Sequence, residues 1–115
     1  DPHTVFTVTG DVIIRDFWGV CNTTLTGATA TVSVGVTGNT AGILALETAT
    51  EILDGNIYVS ATQAVGVAPT AQSGAPIALN DGFDILEYVA TASITGGQID
   101  YYCIWAPCED GAYLA

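Results

Sequence analysis

The feature that most constrains this chain is a short alternation of apolar and polar residues, repeatedly interrupted by glycine and asparagine. Residues 29–37 show it best: Ala30, Val32, Val34 and Val36 fall on one side, Thr31, Ser33, Gly35 and Thr37 on the other. Only extended backbone sends successive side chains to opposite faces, so this segment predicts a half-exposed strand with a polar outer face. Valine and threonine are stiff at χ1 and fit a pleated surface, while glycine and asparagine supply the turns. Residues 4–9 repeat the pattern, with Phe6 and Val8 opposite Val5 and Thr7. Residues 12–21 are apolar on both sides. Strict alternation puts Val12, Ile14, Trp18 and Val20 on one face and Ile13, Arg15, Phe17 and Cys21 on the other. A strand covered on both faces belongs in the middle of a sandwich or at a subunit interface.

Further segments extend the same reading. Residues 22–28 are expected to form a turn-rich connection, and residues 38–40 a turn before an apolar run at 43–46. Thr48 and Glu51 have capping-box spacing, and Gly55 is placed to stop a short helical turn. Strands are expected at 57–62, 77–79, 83–94 and 98–106, with a surface loop at 64–76. Thr95-Gly96-Gly97 reads as a hairpin turn. Ile99, Tyr101, Cys103 and Trp105 share one face of the last strand, which Pro107 ends. These elements predict an all-β chain: an antiparallel β-sandwich or jelly-roll-like barrel of about seven to eight strands with one short helical turn. Residues 1–115 form a single domain in this reading, with residues 1–3 as an extended arm.

Charge narrows the function classes. The chain has 12 acids, one arginine and no lysine, a formal net charge of −11. Nucleic-acid binding and attraction to an anionic membrane both need clustered cations, so both are excluded as expected partners. Half of the residues are hydrophobic, which argues against disorder. Residues 17–46 carry no charge, but threonine, glycine, asparagine and serine interrupt them too often for a membrane span. Methionine is absent, so Asp1 is expected to follow a removed segment or to begin a fragment.

No chemical motif emerges. Asp81, Asp84 and Glu87 lack the spacing of a calcium loop and read as turn and edge charges. The single histidine, His3, lies at the terminus, and no strained nucleophile turn or distinct carboxylate pair accompanies it. The expectation is a non-enzymatic protein without cofactor or metal. The three cysteines read as buried thiols, with one disulfide, Cys103–Cys108 or Cys21–Cys103, as the alternative. Arg15 reads either as an internal ion pair or as a salt bridge across a subunit interface. Tyr101, Tyr102, Trp105, Trp18 and Phe17 read either as a sugar-stacking platform, contacted through Tyr101 or Tyr102, or as the core of a small sandwich, with core favoured for Trp18 and Trp105.

Four segments carry a family resemblance. They are Val5-Phe6-Thr7-Val8-Thr9-Gly10 running into Val12-Ile13-Ile14-Arg15; Gly19-Val20 followed by Asn22-Thr23-Thr24; Thr48-Ala49-Thr50-Glu51-Ile52-Leu53-Asp54-Gly55 leading to Ile57-Tyr58-Val59; and Ala90-Thr91-Ala92-Ser93-Ile94-Thr95-Gly96-Gly97-Gln98-Ile99 with Tyr102-Cys103-Ile104-Trp105 and Pro107. In this order they resemble small β-rich virion structural proteins of tailed bacteriophages, similar to capsid decoration, or cement, proteins. Cys108 stands where a leucine-like residue is expected after Pro107. The resemblance implies a homotrimer on the outside of a phage head, bound to the major capsid protein and stabilising it. Phe6, Ile13, Arg15 and Phe17 are then the candidate oligomer or capsid interface. The alternative expectation is a tail or fibre module that recognises a host surface glycan.

Overall fold

A computed structural model describes residues 2–58, 64–65 and 77–115. Its longest element is a strand much longer than the apolar run at 12–21. The run of threonines after Cys21 extends it to Thr26, because Thr23 and Thr26 still find partners, Gln98 and Gly96, on a strand near the C-terminus. In chain order the strands are β1 (His3–Phe6), β2 (Val8–Thr9), β3 (Val12–Thr26), β4 (Thr31–Val36), β5 (Asn39–Thr48) and β6 (Asn56–Tyr58). They continue with β7 (Ala64–Val65), β8 (Ile77–Leu79), β9 (Ile85–Ala90), β10 (Gly96–Pro107) and β11 (Tyr113–Leu114). A single 3-10 turn, Ala49–Glu51, separates β5 from β6. Thr48 caps it in position only; its side chain makes no capping hydrogen bond, so the expected capping box does not form. The remainder of the expected strand 57–62, and of the expected loop 64–76, lies outside the described residues.

The chain is an all-β antiparallel sandwich. One sheet has the order β1-β9-β4-β5 and the other β10-β3-β6-β7, with β8 also paired to β3. The short β11-β2 pair joins Tyr113 to Thr9 and Leu114 to Val8. Val32, Val34, Leu44 and Ile85 from the first sheet meet Ile14, Phe17, Cys21 and Tyr58 from the second in one core. Tyr58 ties the layers together: its hydroxyl donates to the Ala45 carbonyl at 2.8 Å, with the Val32 carbonyl 3.0 Å away. Among the described residues no helix is long and apolar enough to cross a membrane.

Several local expectations change. The outer face of β4 is covered, since Ser33 and Gly35 are buried with Val32 and Val34. The start of β5 folds over it: the Ser33 hydroxyl donates to the Thr40 carbonyl at 2.8 Å, and a Cβ on Gly35 would overlap the Asn39 carbonyl. Residues 95–97 are not a hairpin turn, because β9 and β10 lie in different sheets and the chain crosses between them. The strand expected over 83–94 shrinks to Ile85–Ala90, ended by Thr91 at a φ of 72°. His3 is paired with Glu87 in β1, so it is part of the sheet rather than of a loose arm.

The acids at the turns are tethers. Asp84 accepts from the Val8 amide at 2.9 Å, Asp81 from the Gly10 amide at 2.9 Å, and Asp11 from the Asp81 amide at 3.0 Å. Each charge-assisted bond satisfies a backbone donor that the turns would otherwise leave unpaired.

Candidate functional site

The site begins with a phase change in β3. Val12 and Ile14 point into the core, but so do Phe17 and Cys21, which alternation would place on the other face. The pairing with β10 explains this: Ile104 lies opposite Asp16 and Trp105 opposite Ile14, leaving Arg15 as an extra residue. A bulge of this kind exchanges the two faces and re-aims the side chain at the bulge. Asn22 is an extra residue in the same way, between the Cys21–Ile99 and Thr23–Gln98 pairs.

The exchange turns Trp18 outward, beside Ile13, Asp16 and Val20. Trp18 lies opposite Tyr102, and their rings stack with centroids 5.7 Å apart and planes 17° from parallel. Tyr102 is 47% exposed and Ile104, two residues along β10, is 49% exposed. Ile13 sits farther along the same face, opposite Ala106 on β10 and Ala78 on β8. The result is an aromatic and aliphatic ledge on the outer face of the ribbon that β3 forms with β10, an edge strand of the second sheet.

The inner face of the ribbon opens on a cleft. Cleft and core share Phe6, which meets Phe17 edge-on at 6.0 Å, and Tyr101, whose ring lies 5.8 Å from that of Phe17. Gly19 makes room for this packing, since a Cβ there would come within 2.8 Å of Ile99. The cleft has a volume of about 660 Å³ and lies between β1 and the first half of β10, where the sandwich is open. Its walls include His3, Phe6, Glu87, Ile99 and Tyr101. The Tyr101 hydroxyl donates to Glu87 Oε2 at 2.5 Å, joining the two sheets across the opening. Burial first, and then the Glu87 charge, push the Tyr101 phenol well above its ordinary range, so it stays a donor. Asp100 at the rim already accepts from the side chains of Asn22 and Gln98.

The expected interface residues therefore separate. Phe17 has no exposed surface and belongs to the core, and Phe6 is half-buried against it. Ile13 and Arg15 remain on the outside, Arg15 exposed at the bulge. Arg15 forms no ion pair with a described residue, so the internal ion pair is absent from the described structure. Trp105 packs inward as expected, whereas Trp18 does not join the core. Trp18 is the residue that strict alternation misplaced; Tyr102, already singled out, and Ile104 lie on the face that alternation gives them. The signal was Arg15-Asp16: two adjacent charges in a strand apolar on both faces require a bulge, because alternation would otherwise bury one of them.

All three cysteines are free thiols, and the Cys103–Cys108 bridge does not form. Cys103 to Pro107 is extended strand, which separates the ends by about 13 Å, against about 4–7 Å between the Cα atoms of a disulfide. The Cys21–Cys103 alternative fails likewise, since Cys21 pairs with Ile99 and Cys103 with Phe17. Burial, helped by Asp16, pushes the Cys103 thiol up to about 11. Among the described residues no three His, Cys, Asp or Glu side chains gather as a metal site. No protein-family model, curated protein or solved structure matches the chain.

Proposed function

We propose that this chain is a non-enzymatic virion structural protein. In this reading it is a capsid decoration protein that binds the major capsid protein on the outside of a phage head and stabilises it as a homotrimer. The observation that carries the reading is the Trp18–Tyr102–Ile104 ledge, which exposes aromatic and aliphatic surface on a rigid ribbon. Buried aromatic anchors of this type dominate protein interfaces, and an outward ring costs solubility unless a partner covers it. Asp11, Asp81 and Asp84 serve as turn tethers, which gives these three carboxylates a structural role. The ordered sequence resemblance supplies the head as the partner.

The test is co-sedimentation with undecorated, expanded heads from the phage that encodes the chain. Wild type is expected to pellet with the heads, and Tyr102→Ser with Ile104→Ser is expected to stay in the supernatant while remaining folded. The glycan-binding alternative keeps one supporting observation, the exposed ring of Tyr102. The Tyr101 ring packs on Phe17 and its hydroxyl is held by Glu87, which takes both rings out of the expected platform. Glycan-array binding lost on Tyr102→Ser, without head binding, would favour that alternative.

A further inference from the structure

We propose that the cleft between β1 and β10 receives the guanidinium of Arg15 from a second copy of this chain, so that copies join head to tail. The inference builds on the homo-oligomer part of the proposed function and names its contact.

The argument starts from charge. Each copy carries −11, so two copies repel unless apolar burial and local complementarity offset the repulsion. Any salt bridge between two copies that uses a lysine or arginine side chain must use Arg15, the only one present. Arg15 is suited to leave its own molecule. It is exposed, the bulge takes it out of the alternation, and no described carboxylate pairs with it.

The receiving side is chosen by environment rather than by acid count. Five of the eleven described acids are exposed, where an ion pair adds little. Of the half-buried ones, Asp11 and Asp84 are turn tethers, Asp100 already accepts from Asn22 and Gln98, and Asp16 and Glu47 lie outside the cleft. Glu87 is different: it is half-buried on β9 at the wall of a cleft about 660 Å³ in volume, beside the rings of Phe6 and Tyr101. The Tyr101 hydroxyl occupies Oε2, and Oε1 accepts no hydrogen bond from a described residue. A planar guanidinium can donate to that oxygen and lie against an aromatic face, which a compact ammonium does less well. Donor and acceptor lie on different surfaces of one chain. The contact is therefore heterologous, and successive copies close into a ring if the rotation allows it, as a trimer requires.

Sedimentation velocity on the full chain tests this. Wild type is expected to assemble as concentration rises, at about 0.15 M salt, where the long-range repulsion between copies is screened. Arg15→Glu and Glu87→Arg are each expected to be monomeric, whereas the double variant, in which the charges are exchanged, assembles. Glu87→Gln keeps an acceptor for Tyr101 and guards against misfolding; it is expected to weaken assembly about tenfold or more. A monomeric wild type overturns the inference, as does unchanged assembly of Arg15→Glu or Glu87→Gln. Failure of the exchanged pair to assemble while it remains folded also overturns it, and points to a different basic group in the cleft. Head binding by a monomeric wild type would leave the decoration reading standing while this contact fails.

Discussion

The two faces of the β3–β10 ribbon use the same kind of side chain for opposite ends. Inward, Phe17 and Tyr101 join Phe6 in a three-ring cluster, with Trp105 packed nearby. Outward, Trp18 and Tyr102 stack on each other, and Tyr102 stays half-exposed. The inner rings remove apolar surface from water against the other sheet, so their burial contributes to folding. The outer pair gains one stacking contact and leaves its remaining surface for something else to cover. Composition alone does not separate these roles. The bulge at Arg15 does, by deciding which rings enter the core.

If that contrast is right, substitutions on the two faces will differ in kind. Phe17→Ala is expected to cost about 3–5 kcal/mol, read by urea denaturation, because it opens a cavity beneath both neighbouring rings. A cost below about 1 kcal/mol would mean that the inner cluster does not hold the sheets. Tyr101→Phe is expected to cost about 1–3 kcal/mol by leaving Glu87 without its donor. It also bears on pH. Burial raises both Tyr58 and Tyr101 above the ordinary tyrosine value of 10.0. As pH climbs past that value the unfolded chain loses these protons first, so stability is full below it and falls above it. The expected slope is about 1.4 kcal/mol per pH unit for each tyrosine, and Tyr101→Phe removes one share. Stability that is flat from about pH 10 to 11.5, a window that lies wholly between the unfolded and folded values of both groups, would contradict the inter-sheet role of these hydroxyls. The smallest effect concerns thiols: a colorimetric thiol reagent should label exposed Cys108 quickly and Cys21 and Cys103 slowly, and Cys108→Ser should leave stability within about 0.5 kcal/mol.

Period two made the fold class legible, because alternation with glycine punctuation admits few architectures. The ends of β3 and β9 were less legible. Thr23 to Thr26 looks like a polar connection until β10 lies beside it, and propensity yields there to cross-strand pairing. The cover over Ser33 and Gly35 was hidden for the same reason, since it comes from β5 folding back across its neighbour. The site was half legible. Ile13 and Arg15 were read as part of a covered face and lie on the outside, and a one-residue bulge reversed Phe17 and Trp18 together. The cleft needs residues from β1, β9 and β10, which no local pattern links.

The most direct measurement is the head-binding assay with a stability control. Wild type should pellet with expanded heads, while the Tyr102→Ser, Ile104→Ser variant should remain in solution with a melting temperature within about 3 °C of wild type. Equal pelleting of both proteins, or no pelleting of wild type, would contradict the claim that the outer face of the ribbon is the functional surface.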